Sequence, residues 1–425
     1  MYRRSRAVVP GALPSGTFAA ALGTVVAALG AVGVQGQEVV DLPAEDLPLS
    51  TDLTTVYRVG SALAASEWEQ FTAIRHIGFD GAGNLYMLDA PGPEAGTRIV
   101  MVDPAGQHVT DFGRHGDGPG EFRWPRSMMV WPDGGTLVQD VMHMGYHIFG
   151  PEGDFDRMVR HEIGRDPRPD RVDARAVVGA TWRRADDSGR SIVRYDLSSD
   201  ESGERILVEA WVPWPGDESR GAPTTLEDLV GEEWGFEPAL LFDVLPSGGI
   251  AFSDSSAYAI KLADRSGVIS RILRRPLRPL PVTEAIRRAE RERRLEETRN
   301  RTITSSGGGE RSAEMAALTE ALADARVATV ENMRFFPEVP LIAAVRATWD
   351  GSLWVQRSAE PGSDEPGPID VITPHGRYVG TLAPGTPELP DMPDAFGPDG
   401  LVAFIDADEF DVPVITVWRL PPAIR

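Results

Sequence analysis

Trp131-Pro-Asp-Gly-Gly-Thr-Leu-Val-Gln-Asp140 reads as a tight turn feeding a short strand. Pro132 presets φ for the first central turn position, and the glycines accept positive φ beyond it. Thr136 to Asp140 is β-branched and apolar but too short for a helix. The turn recurs as Asp80-Gly-Ala-Gly83, Asp103-Pro-Ala-Gly106, Pro151-Glu-Gly-Asp154, Pro246-Ser-Gly-Gly249, Asp264-Arg-Ser-Gly267, Asp350-Gly351, Pro374-His-Gly376 and Pro398-Asp-Gly400. Comparable short strands flank it at Leu85–Asp89, Arg98–Asp103, Gly249–Asp254, Ser352–Gln356 and Leu401–Asp406.

Spacing turns this punctuation into an architecture. First-turn glycines step from 83 to 134 and from 351 to 400, about fifty residues each time. Four short strands at that period predict a β-propeller, since one such sheet cannot cover both its faces and must stack on neighbours around an axis. Six units follow: 71–125, 126–171, a degenerate third over 172–236, then 238–281, 337–390 and 391–420. Strands of the third are expected near Ala176–Arg183, Ser191–Asp196 and Arg205–Trp211. The sixth unit ends one strand short, and Thr54–Val59 is expected to complete it, joining the two ends of the chain and removing an exposed sheet edge. The fold class is therefore all-β, with one interruption at about 283–334. There Thr283 can cap a helix running to about Asn300, and Arg311–Asn332 reads as a second. Met315, Leu318, Leu322 and Ala325 keep helical spacing, so this inserted hairpin is expected to pack its apolar stripe on the propeller; a lid or partner-docking arm is the sharper alternative.

Phe112-Gly-Arg-His-Gly-Asp-Gly-Pro-Gly-Glu-Phe122, followed by Pro125 and the Trp131-Pro-Asp-Gly turn, resembles the connection between NHL repeats. Phe336-Pro-Glu-Val-Pro340 and Trp349-Asp-Gly-Ser-Leu-Trp354 are similar to segments of helix-bearing bacterial six-bladed propellers. The resemblance implies six blades over nearly the whole of 37–425. It implies no single activity, because the fold hosts binding modules, lactonases and lyases. Gluconolactonase-like members hold a central calcium with Glu, Asn and Asp, a ligand set that does not map onto residues here.

Arg3, Arg4 and Arg6 precede seventeen small or apolar residues, Phe18–Val34, and then Gln35-Gly36. This basic, apolar, small-residue order predicts a signal peptide over 1–36 and a secreted or periplasmic protein, or an N-terminal membrane anchor if the segment is retained. No later stretch is apolar enough to span a bilayer. Loss of 1–36 removes three arginines and no acid, taking the formal charge from −22 to −25. That excess speaks against nucleic-acid binding and for solubility, or for a basic partner. Absence of cysteine excludes disulfides, thiol catalysis and Cys-ligated metal.

Chemistry is sparser. Asp89, Asp140, Asp254 and Asp406 end second strands, with Arg183 and Arg357 near that position in the other two units. These six could ring one mouth of the channel and bind ligand, and the four carboxylates could hold a divalent cation such as calcium. Alternatively each Asp accepts backbone N–H bonds at its strand end. His143 and His147 are four apart, a zinc spacing on a helix, but they fall where a strand connection is expected and no third ligand is evident. Gly113–Gly120 lacks the Gly-Lys-Ser/Thr ending of a phosphate loop, and no Gly-x-Ser-x-Gly elbow occurs. Trp182, Trp211, Trp214 and Trp234, beside Pro213 and Pro215, either fill blade interfaces or grip a ligand, with acidic Glu227–Glu233 next to them. The sequence thus reads as a non-catalytic binding or scaffold module for a peptide, glycan or protein ligand. The alternative is a calcium-dependent hydrolase or lactonase working in the central channel.

Overall fold

The computed structural model describes residues 37–425 apart from 51–52, 93–95, 161–162, 182–189, 200–202, 212–231, 306–312, 364 and 386–388. The region 1–36, Trp182, Arg183, Trp214 and most of the acidic run after Glu227 lie outside the described residues.

Gly134 closes the quoted turn at φ 90°, where a side chain would be strained. The strands it joins, Pro125–Val130 and Thr136–Asp140, pair antiparallel, and the hairpin repeats until four strands form a sheet. Six such sheets exist, giving a six-bladed propeller. Their first strands are Ile74–Phe79, Pro125–Val130, Arg165–Pro169, Leu241–Val244, Ile342–Ala347 and Ala395–Phe396. First strands of neighbouring blades abut from the sixth round through the first to the fifth, so they surround the axis and the fourth strands form the rim.

Six buried apolar clusters fill the interfaces between successive blades. Trp131 and Trp354 are fully buried there, their indole N–H groups donating to the Ala176 and Ile424 carbonyls at 2.8 and 3.0 Å. Burying a ring of that size is favourable because its one polar atom keeps a partner.

The third blade begins earlier than its sequence suggests. Its first strand, Arg165–Pro169, lies in the stretch assigned to the second unit. Two prolines and three charges mask the strand pattern there, and Asp166 at φ 49° breaks the register. Its later strands are Ala176–Ala180, Ser191–Asp196 and Gly203–Glu209.

The N-terminal segment runs along the rim of three blades. Glu38–Asp41 pairs parallel with Ile269–Arg274 of the fourth, Pro48 bridges Thr381 of the fifth, and Thr54–Val59 pairs antiparallel with Pro413–Arg419 of the sixth. Arg275 clamps it. Its guanidinium donates to Asp370 Oδ2 at 2.9 Å, to the Pro43 carbonyl at 2.9 Å and to Asp46 Oδ1 at 2.9 Å.

Between the fourth and fifth sheets the chain forms α1 (Glu284–Ser305) and α2 (Ala313–Glu331). Thr283 Oγ1 accepts the Ile286 N–H, an N-cap bond. Of the expected apolar stripe, Ala325 is buried, Leu322 is half-buried and Leu318 is exposed, while the Met315 side chain lies outside the described residues. It is α1 that meets the strand Trp234–Gly235, and Arg287 and Arg291 lie 5.8 and 5.3 Å over the Phe335 ring. The small residues of α2 suit close packing against α1 instead. No described helix is long and apolar enough to cross a membrane.

Candidate functional site in the central channel

The strand-end residues are held apart by local duties. Asp89 accepts the N–H groups of Thr72 and Ala73 at 3.1 and 2.8 Å. Asp140 accepts those of Arg123, Trp124, Met142 and His143. Both carboxylates thereby tie a second strand to the segment that enters the same blade. Asp254 takes the Trp211 N–H at 3.0 Å and the Lys261 ammonium at 2.7 Å. Arg357 pairs with Asp46 at 2.7 Å, and Asp406 is exposed beside Asp394. Among the described residues, no hydrogen bond or ion pair joins any two of the five. Arg183 falls outside the described residues.

The axis is lined instead from the first strands. The residue two before the first turn is Arg168 in the third blade, Asp243 in the fourth and Arg346 in the fifth, placed alike by the turn bonds of Asp170, Leu245 and Thr348. Arg168 Nε stands 3.8 Å from Asp243 Oδ1. Asp243, almost fully buried, accepts the Val244 and Ala347 N–H groups at 2.8 Å each. Burial first, then the Arg346 charge, push the Arg168 guanidinium down to about 10, so it stays cationic at neutral pH. Its Nε is buried without a hydrogen-bond partner in the protein. The Arg168 guanidinium thus meets a carboxylate whose oxygens are already engaged, with the Arg346 charge close enough to be felt by Arg168.

His76, on the first strand of the first blade, faces the same space. Burial, followed by the Arg168 and Arg346 charges, lowers its imidazole to about 4, so the ring is neutral at pH 7. One ring nitrogen bonds the Met128 backbone and Nδ1 has no protein partner. Across one end of the channel lies Trp349. Its indole N–H donates to the Phe396 carbonyl at 2.7 Å, and Arg171 stacks 4.5 Å over its ring. Gly81 sits against the Pro132 carbonyl and the Trp349 ring, close enough that a Cβ would meet that carbonyl at 2.7 Å. Residues of the first, third and sixth blades therefore meet this indole of the fifth.

Strand-end spacing does not point to the channel residues, which lie on the first strands. A signal existed: a lone charge in an otherwise apolar first strand, as in Ile342-Ala-Ala-Val-Arg-Ala347 and Leu241-Phe-Asp-Val244. Of the predicted pair, His143 and His147 do come together, and Asp140 joins them.

No protein-family model and no curated protein matches the chain. Among solved structures, a member of the DUF4221 family from Bacteroides vulgatus is similar at 11% identity and a TM-score of 0.49, covering 87% of this chain and 98% of that one. A calcium-binding protein, regucalcin, from Agrobacterium tumefaciens shares 12% identity at a TM-score of 0.36, covering 91% and 99%. Virginiamycin B lyase from Staphylococcus aureus shares 12% at 0.34, covering 81% and 80%. Similarity this distant carries nothing about chemistry.

Proposed function

We propose that the chain is an exported, non-catalytic binding propeller whose central channel receives the carboxylate-bearing end of a peptide or glycan. The observation that carries this reading is the Arg168–Asp243 pair with the Arg346 charge nearby, in which the buried Arg168 Nε makes no hydrogen bond within the protein. Arginine is suited to planar, paired recognition of a carboxylate, and a buried charge-assisted bond is stronger than a solvated one. Asp243 offsets part of the repulsion that Arg168 feels from Arg346 while its own oxygens stay engaged.

The competing reading, calcium-assisted hydrolysis in the channel, needs several converging carboxylates. Asp243 has the Arg168 guanidinium as its charged neighbour, and among the described residues it belongs to no group of three metal-ligating side chains. The NHL-like junction belongs to the same reading. Gly113 at φ 73° lies so close to the Phe122 ring that a Cβ would meet it at 2.4 Å, consistent with a glycine-dependent connection between blades. The segment 1–36 is read as the export signal, and the pairing of Thr54–Val59 with Pro413–Arg419 supports closure of the ring by the N-terminal strand. The test is thermal-shift screening of acidic peptides and oligosaccharides against the wild-type chain and an Arg168→Gln/Arg346→Gln variant. Stabilisation of wild type alone supports the channel site; equal shifts in both would refute it.

A further inference from the structure

The hairpin of the second blade carries a cluster that the channel does not use. Asp140 ends one strand, residues 141–144 turn, and the next strand begins at Gly145. Met144 at φ 49° keeps this turn tight. His143 on the turn and His147 on the following strand then face each other, with ring centroids 5.2 Å apart. His143 Nδ1 lies 3.2 Å from His147 Nε2 and 3.3 Å from Asp140 Oδ2. One ligand-type atom from each of the three residues lies within 4.8 Å of the others.

These separations match a tetrahedral metal. Zinc bonds of about 2.0–2.1 Å at tetrahedral angles set ligand atoms about 3.3–3.4 Å apart. Two of the three edges are already near that length. Proton placement points the same way. His143 Nε2 faces Asp117 Oδ1 at 3.4 Å, which assigns the ring proton to Nε2 and leaves a lone pair on Nδ1. That lone pair points toward both His147 Nε2 and the Asp140 carboxylate, so a cation among the three would replace the proton that otherwise bridges them. Asp117 behind His143 supplies the carboxylate–histidine arrangement that orients metal-bound imidazoles. His147 is held without such a partner: it is buried, with the Phe122 and Phe155 rings 5.3 and 5.8 Å away.

We propose that Asp140, His143 and His147 form a zinc site, with water in the fourth position on the open side of His143. Asp140 also anchors the Arg123 and Trp124 N–H groups, so the metal would clip the hairpin of the second blade to the glycine-rich connection that enters it. Its role is structural, and it stands apart from the channel.

The test is calorimetry with Zn²⁺ on the untagged, chelator-stripped chain, with Co²⁺ absorption as a probe of geometry. One Zn²⁺ per chain is expected, with the intense visible bands of four-coordinate Co²⁺. His143→Ala is expected to weaken Zn²⁺ at least tenfold with unchanged circular dichroism. Asp117→Asn, an exposed change that also loosens the Arg123 pair, is expected to weaken it about tenfold or more with unchanged circular dichroism. Binding at less than one equivalent to the wild type, or wild-type affinity in either folded variant, overturns the site.

Discussion

Arg168 Nε lies 3.8 Å from Asp243 Oδ1, an ion pair that crosses from the third blade to the fourth beside the channel axis. Asp243 also caps the Val244 and Ala347 N–H groups, so it joins the fourth blade to the fifth as well. Removing this carboxylate leaves two buried donors and the Arg168 guanidinium without it. Asp243→Ala is expected to lower stability by about 3–5 kcal/mol, measured by urea unfolding, the usual range for breaking a buried pair. A change below about 1 kcal/mol would mean that water replaces the carboxylate and that the channel is well solvated.

The rim clamp makes a separate prediction. Arg275 and Asp370 are both fully buried and 2.9 Å apart. Arg275→Ala should cost about 3–5 kcal/mol, because Asp370 would be left charged and buried. The Arg275→Met/Asp370→Leu pair should cost less than Arg275→Ala alone, because both charges then disappear together. A double-mutant cycle in urea reads the difference, and additive losses would show that the two act independently.

Strand-end aspartates should matter for folding and not for ligand. Asp89→Ala leaves the Thr72 and Ala73 N–H groups without their acceptor, which is expected to cost about 1–3 kcal/mol. Ligand affinity should stay within about twofold of wild type. A loss of tenfold or more in affinity at unchanged stability would restore these residues to the channel mouth.

Acid should destabilise the fold through His76. Its imidazole is lowered to about 4 in the folded chain against 6.5 for an exposed histidine. Between those values the unfolded chain binds a proton that the folded chain does not, so stability rises with pH. The contribution is complete above pH about 6.5 and is lost as pH falls toward about 4. The neighbours are cationic, Arg168 and Arg346, which reinforces the direction. His76→Gln should flatten the unfolding midpoint across this window, and an unchanged slope would contradict the assignment.

The blades were legible because their turn chemistry and strand lengths are local properties. Gly134, Pro132 and the strand after them announce a hairpin without help from the rest of the chain. The third blade was shifted because Arg165–Pro169 trades strand pattern for channel-facing polarity, a property that only the closed ring explains. The channel site stayed hidden for the same reason: Arg168, Asp243 and Arg346 are 75 and 103 residues apart in sequence and meet only through ring geometry. The strand-end position of Asp140 is visible in the sequence, while its partnership with His143 and His147 depends on a turn that spacing alone does not fix. An acidic chain with a charge of −22 suggested basic partners, yet its axis carries arginines, since net charge reports the surface more than the interior.

The most direct test of the channel reading is calorimetric titration with citrate, a compact tricarboxylate, of the wild-type chain and the Arg168→Gln/Arg346→Gln variant at low and moderate salt. The account predicts one saturable site in the wild type, weakened by about 100-fold or more in the variant, as expected for losing two charge-assisted contacts of about 1.5–3 kcal/mol each. Absence of binding to the wild type, or equal affinity in the two proteins, would contradict it.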